Sequence, residues 1–364
     1  MRLSSTLSVY ITRQFLVGIV AVLALLLVLV TIIDTVELLR RASGHPAATA
    51  GIMIQLALLR VPHMALKIIP FAVLFGGILT LTRLTRTHEL VVARAAGVSV
   101  WQFLLPGMAL ALLIGAFTVA VFTPLASATT WRYEQLEAKY LRGRSTLLAV
   151  PSSGLWLREG GRDGQVVVHA ERVAAKDMTL DDVIIFLYQG ADRFSRRIDA
   201  RTAKLRAGYW ELEDALISVP DERSVFMPHY RLETGLTLAR IQESFASPET
   251  LSFWDLPSFI RTLEKAGFSA RNHRLYWQSM LATPVLLLAM VLIAATFSLR
   301  LTRRGGTGVL VLFGLTAGFL LYFMTDMLLA LGRSASIPVA LAAWTPAGVS
   351  TLLGLAMLFH LEDG

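Results

Sequence analysis

Arg83-Leu-Thr-Arg86-Thr-His88-Glu89-Leu-Val-Val-Ala-Arg94-Ala-Ala-Gly97 is the stretch whose reading decides how the rest of the chain is arranged. It is a polar interruption between two long apolar runs. Written on a helix, Leu90, Ala93 and Gly97 share one face, with Arg86 and Glu89 one turn before them. Gly97 stands where a helix C-cap belongs, and Ser99-Val-Trp-Gln102 has the capping-box pattern that opens a new helix. The spacing predicts a short helix, about residues 84–97, held between two much longer apolar ones.

The runs on either side are long enough to cross ~30 Å of hydrocarbon. After the stretch, residues 98–130 carry no formal charge. Before it, residues 52–82 are apolar except for Arg60, His63 and Lys67, and contain Pro62 and Pro70; membrane helices tolerate such prolines. Residues 15–33 form an earlier uncharged run that continues helically through Asp34, Glu37, Arg40 and Arg41 to a stop at Ser43-Gly-His-Pro46. That run is too long for a cleavable signal, and no small-residue cleavage site follows it. Towards the C-terminus, residues 275–299, 305–325 and 334–361 supply three further spans; Arg300, Arg303, Arg304 and a Gly pair form a tight loop between the first two, and Asp326 ends the second.

Between the two sets of three spans the composition changes. Residues 131–274 hold most of the charges of both signs and are close to neutral together, so the apolar remainder carries nearly all of the net charge of +8. The segment opens with a helical pattern to about residue 148. From Gly154 the period shortens to that of strands: residues 154–158, 165–170, 182–188, 206–212 and 230–238 are β-branched or aromatic and separated by turn residues. Such spacing suits a sandwich or jelly roll. Residues 183–188 are apolar on both faces, as in a central strand covered on both sides or one facing a greasy groove. Residues 252–266 then read as an amphipathic helix at a membrane surface. The expected fold is an α-helical integral membrane protein with six transmembrane helices (3+3) and an inserted β-jelly-roll domain. Its parts are residues 1–144 with the short helix, 145–250 as the β domain, and 251–364 as the amphipathic helix and last three spans.

Arginines orient this plan. Arg2, Arg13, Arg83, Arg86, Arg94, Arg300, Arg303 and Arg304 fall on the side of the termini, against Arg40, Arg41 and Arg333 in the opposite short loops. The positive-inside rule puts both termini and the short helix in the cytoplasm and the β domain on the far side of the membrane. The overall composition agrees with a membrane protein: 55% apolar and 16% charged residues, against about 45–50% and 25% in soluble domains. The sequence pI of about 10.0 follows from this loop arginine bias, and nucleic acid is not an expected partner.

Several chemistries are missing. There is no Gly-Lys pair and hence no P-loop, no His-Glu-x-x-His, and no Gly-x-Ser-x-Gly; the chain has no cysteine. Asp181-Asp182 beside a strand reads as a turn rather than a catalytic pair. A permease, a scaffold or a receptor fits better than an enzyme.

His88-Glu-Leu-Val-Val-Ala-Arg-Ala-Ala-Gly97 resembles the coupling-helix motif E-[LI]-x-V-x-x-[AS]-x-G of the LptF/LptG permease family, and the 3 + β + 3 plan extends the resemblance over nearly the whole chain. Residues 154–157, 272–284 and 322–326 look closer to the LptG branch. The resemblance implies a permease subunit of an ABC transporter that extracts lipopolysaccharide from the bacterial inner membrane. It implies an LptF-like permease as partner, two copies of an LptB-like ATPase that bind the ATP and Mg, no cofactor on this chain, and an LptC-like single-span bridge protein against the jelly roll. Glu89 would pair with a basic residue of an ATPase groove, Leu90 and Val91 would pack into it, and Arg86 and Gly97 would complete the coupling helix. Arg40, Arg41, His63, Lys67 and Arg132 would meet lipid phosphates, for which arginine is well suited. Two positions depart from the family pattern: His63 follows Val-Pro where many relatives carry Lys, and Asp34 stands where a basic residue is common, with Arg60 or Lys67 available to pair with it. An LptF-like paralogue, a permease or mechanotransmitter for another lipid or lipoprotein, and a receptor without transport are the alternatives.

Overall fold

The structure is a computed structural model that describes residues 5–42, 48–141, 155–161, 164–174, 179–189, 193–220, 222–237, 247–265, 269–300 and 307–362. By its internal contacts the chain divides into two compact units. One comprises Met1–Tyr133, Leu251–Leu256 and Arg271–Gly364; the other comprises Glu134–Thr250 and Pro257–Ala270.

The first unit is a helix bundle. Its elements are α1 (Ser5–Ala42), α2 (Ala50–Arg86), α3 (Glu89–Ala95) and α4 (Val100–Phe117), a π turn (Thr118–Phe122), and α5, which runs over Thr123–Tyr140 and so past the unit's edge. After the second unit come α7 (Arg271–Arg300), α8 (Thr307–Arg333) and α9 (Val339–Glu362). Among the described residues, six helical stretches are long and apolar enough to cross a membrane, with α4, the π turn and α5 counting as one. The six apolar runs read in the sequence therefore become α1, α2, α4–α5, α7, α8 and α9. The loop at residues 301–306 and the stop at 43–47 lie outside the described residues.

The bundle core is built where these helices cross. Phe15, Leu74, Leu104 and Leu287 are among its fully buried side chains. The α1–α2 crossing is close because Gly76 lacks a side chain: a Cβ there would stand 2.6 Å from the Cα of Ile19. Close approach through small residues is the usual means of helix association where lipid is as apolar as the side chains. Much of α1 and α8 leaves its apolar residues uncovered, Val20, Leu29, Leu315 and Phe319 among them, as expected of helices that face lipid or another membrane chain.

The second unit holds the inserted β domain. Among the described residues it is a six-stranded antiparallel sheet: β1 (Leu155–Gly161), β2 (Gly164–Ala174), β3 (Thr179–Gln189), β4 (Arg193–Arg206), β5 (Tyr209–Ser218) and β6 (Val225–Glu233), each paired with the next. Leu157, Val168, Ile185, Ile198, Trp210 and Leu232 alternate onto one buried face. β4 is absent from the strand segments read in the sequence because its charged positions (Arg193, Arg196, Arg197, Asp199, Arg201, Lys204) mask the alternation. β3 lies inside the sheet, one of the two settings its two-faced apolar pattern allowed; Val183 and Ile185 are buried, while Phe186 on the other face lies under the Arg197 guanidinium at 5.8 Å. β1 and the end of β6 are linked through Glu159, whose carboxylate accepts from the Thr234 hydroxyl and the Gly235 amide, both at 2.5 Å. The amphipathic helix α6 (Leu256–Lys265) begins at residue 256 rather than 252, because Ser252 is taken up in a turn: its carbonyl accepts from the Asp255 and Leu256 amides, both at 3.1 Å. Leu256, Ile260 and Leu263 form its buried stripe.

Candidate functional site

The polar stretch between α2 and α4 folds as two turns of backbone around one short helix. Arg83–Arg86 is the last turn of α2, so the helix expected over about residues 84–97 is shorter, α3 at Glu89–Ala95. The break is at His88, which adopts the left-handed region (φ 59) and serves both as the residue that ends α2 and as the N-cap of α3. The His88 amide donates to Thr85 O at 3.1 Å, and its carbonyl accepts from the Val92 amide at 3.0 Å. At the other end Gly97 (φ 83) lets its own amide donate to Arg94 O at 2.9 Å and that of Val98 to Ala93 O at 3.1 Å. This is a Schellman closure, which requires a left-handed residue where Gly97 stands. Directly after it, the Ser99 hydroxyl accepts from the Gln102 amide and the Gln102 side chain accepts from the Ser99 amide, both at 3.2 Å. The capping box expected from the sequence is formed and opens α4, so the Gly97 turn leads directly from α3 into the next helix.

This geometry settles which side chains α3 offers. Glu89 sits in its first turn, where a carboxylate suits the helix dipole, and accepts from the Thr87 hydroxyl at 2.8 Å. Leu90 is 5% exposed and packs into the bundle core, whereas Val91 is 56% exposed. The expectation that Leu90 would enter a partner's groove is therefore corrected. Helical spacing turns Leu90 inward, and the outward surface comprises Glu89, Val91, Val92 and Arg94. Arg86 is exposed at the end of α2.

A second polar group lies near the other ends of α1 and α2. The Arg60 Nη1 donates to Asp34 Oδ1 at 2.6 Å, and its guanidinium lies over the Tyr133 ring of α5 at 5.4 Å. Asp34 thus takes Arg60, rather than Lys67, as its partner. Arg40 and Arg41 are exposed and both engage Glu37, at 2.8 and 2.9 Å. His63 is half-buried one turn beyond Arg60, Lys67 is exposed a turn further, and Arg132 is exposed on α5 beside the buried Tyr133. Arg60 was seen in the sequence as an interruption of an apolar run but not as part of a site. The signal available was its intramembrane position. Among the described residues no three His, Asp or Glu side chains converge as a metal site would need.

The sheet unit has its own cleft, about 880 Å³, at the end where β3 and β4 shift register between Leu187 and Tyr188. Leu187, Tyr188, Arg196, Tyr209, Arg231 and the Glu159 link line it. It combines apolar, aromatic and cationic surface.

Residues 9–360 match the family described as lipopolysaccharide export system permease LptF/LptG. The chain belongs to that family. It is 27% identical over 364 residues to the lipopolysaccharide export system permease protein LptG of Escherichia coli (strain K12), covering 96% of this chain and 97% of that protein. It is 26% identical over 362 residues to the protein of the same name from Haemophilus influenzae, covering 98% of each. With six candidate spans, this LptF/LptG-family chain is a multi-pass inner-membrane protein and a transport subunit. Its α3 carries the Glu89–Gly97 motif, and its Asp34–Arg60 pair spans two helices of the bundle.

Proposed function

We propose that this chain is the LptG-like permease subunit of a transporter that extracts lipopolysaccharide from the inner membrane and passes it toward the outer membrane, driven by a separate ATPase. The observation that carries the reading is α3. It is a helix too short to be stable alone, closed at its C-terminal end by the Gly97 turn, anchored by Leu90, and exposing Val91 and Val92 beside Glu89. A rigid, anchored knob of this kind can transmit force from an ATPase groove into α2 and α4. Glu89 would pair with a basic residue of the groove, and the exposed valines would supply apolar contact. Both termini and α3 are cytoplasmic in this reading and the sheet unit is periplasmic, following the arginine bias. An LptF-like permease would complete the membrane dimer, two LptB-like ATPases would bind ATP and Mg, and an LptC-like protein would continue from the sheet unit. Arg40, Arg41, His63, Lys67, Arg132 and, from the structure, Arg60 supply positive charge for lipid phosphates; the cleft on the sheet offers a receiving surface.

Co-purification with the ATPase tests the mechanism. Glu89→Arg is expected to abolish it while the protein still inserts; unchanged binding in that variant would refute the coupling role. Lipid analysis of the purified complex tests the substrate. Retained lipopolysaccharide supports the reading, whereas phospholipid alone would replace it with a permease for another lipid.

A further inference from the structure

The third membrane-crossing stretch, α4 through α5 (Val100–Tyr140, here span 3), is not a uniform α-helix. Between α4 and α5 its ladder widens to π spacing over Thr118–Phe122. The cause is Pro124. It has no N–H to offer the carbonyl four residues earlier, that of Ala120, and its ring would collide with it. Inserting one residue into the turn relieves the collision: the Thr123 amide reaches back five residues to Thr118 O, and threonine hydroxyls add second donors to neighbouring carbonyls. The Thr123 hydroxyl donates to Thr118 O at 2.9 Å and the Thr118 hydroxyl to Ile114 O at 2.7 Å.

The Ala120 carbonyl, denied its usual donor, accepts instead from the indole N–H of Trp254 at 3.0 Å. Trp254 belongs to the strap Leu251–Leu256, part of the same compact unit. A second bond fastens the strap nearby: the Ser127 hydroxyl donates to Leu251 O at 2.8 Å. Leu251, Phe253 and Leu256 also pack with Val119 of the π turn and with Tyr276, Trp277 and Met280 of α7. Trp254 itself is 63% exposed; its ring meets Phe253 of the same strap edge-on at 5.2 Å, and the indole hydrogen bond is what joins it to the π turn. Just before the π turn, Gly115 meets Pro284 of α7; a Cβ on Gly115 would stand 2.9 Å from the Cβ of Pro284.

We propose that Trp254 is a clip that fastens the strap to the proline-generated π turn, so that span 3 and the strap move as one body during export. α4 starts at the capping box immediately after α3, so a displacement of α3 enters span 3 at that end. It meets the π turn, the point at which the helix bends most easily. The clip passes the displacement to the strap, and through the strap's apolar contacts to α7. The transport consequence rests on the export function proposed above; the clip itself does not.

Trp254→Phe keeps an aromatic ring and removes the donor. Loss of one hydrogen bond is expected to reduce lipopolysaccharide release per ATP hydrolysed by about three- to tenfold, with co-purification of the ATPase unchanged. Pro124→Ala returns an N–H to Ala120, so W254F should have no further effect in the P124A background. An equal loss in both backgrounds would overturn the clip. Hydrogen exchange of the strap amides reads the same cycle without any transport assay: W254F should speed it only where Pro124 is present, and identical exchange in wild type and W254F overturns the proposal even if the export reading fails. The chain has no cysteine, so a disulfide between Ser127→Cys and Leu251→Cys can replace the clip covalently. It should restore release in W254F, and a cross-link that blocks release would show that strap and span must move apart.

Discussion

Arg60 of α2 and Asp34 of α1 meet at 2.6 Å, and the guanidinium is backed by Tyr133 of α5, so one ion pair ties three helices of the bundle. An acid at membrane depth persists only when it is paired or neutral. Asp34 is 9% exposed at its side chain and Arg60 36%, and the second Asp34 oxygen is buried without a hydrogen-bond partner.

Breaking the pair from either side leaves an uncompensated charge. Asp34→Ala is expected to lower stability by about 2 kcal/mol, below the usual range for fully buried pairs because Arg60 is partly exposed. The double variant D34A/R60A should lose less than the sum of the two single losses, measured by thermal unfolding in detergent. Additive losses would show that the two side chains do not act together.

Gly76 sets the distance between α1 and α2. Gly76→Ala places a methyl group against the Ile19 backbone, which cannot yield as a flexible side chain would. The expected cost is about 1–3 kcal/mol, with a lower midpoint in the same unfolding assay. A midpoint equal to wild type would mean that the helices separate freely at this crossing.

Gly97 is exposed with open space around it, so a side chain there meets no steric obstacle, yet its φ of 83° disfavours one. Gly97→Ala should cost about 1–2 kcal/mol locally, speed hydrogen exchange of the Gly97 and Val98 amides, and weaken ATPase co-purification. Gly97→Asn, better suited to the left-handed region, should do less harm. Equal behaviour of the two variants would argue against the Schellman closure as the fixing element.

Glu213 of β5 accepts from the Thr202 hydroxyl at 2.8 Å and from Lys204 at 3.0 Å, and these bonds, Thr202 first, hold its pKa below the ordinary 4.5. A lowered folded pKa stabilises the sheet at pH above 4.5, and that contribution fades as pH falls from there through the lowered value. Protection of the β4–β5 amides should therefore decline on acidification across that window. Glu213→Gln should flatten the decline, and an unchanged pH profile in that variant would remove Glu213 as its source.

The spans were legible because each requirement is local. Crossing hydrocarbon demands an uninterrupted apolar run, and backbone hydrogen bonding demands that the run be helical. The C-terminal closure of α3 and the N-cap of α4 were legible for the same reason, since Gly97 and the Ser99–Gln102 box act within a few residues of themselves. β4 was not, because its charged residues obscure an alternation that only pairing with β3 and β5 makes plain. Leu90 was misread because a helix of seven residues has no sequence feature that says which neighbour covers which face.

The sequence by itself determined six spans, an inserted β domain and a capped helix carrying Glu89, all consequences of hydropathy, period and capping over short distances. Tertiary structure alone decided that Leu90 is buried and Val91 exposed, that Asp34 takes Arg60, and that the carbonyl freed by Pro124 finds Trp254, 134 residues from Ala120 along the chain. Those contacts join residues that no local pattern connects. They form only when packing brings together groups far apart in sequence, a donor within about 3 Å of its acceptor in the two polar cases.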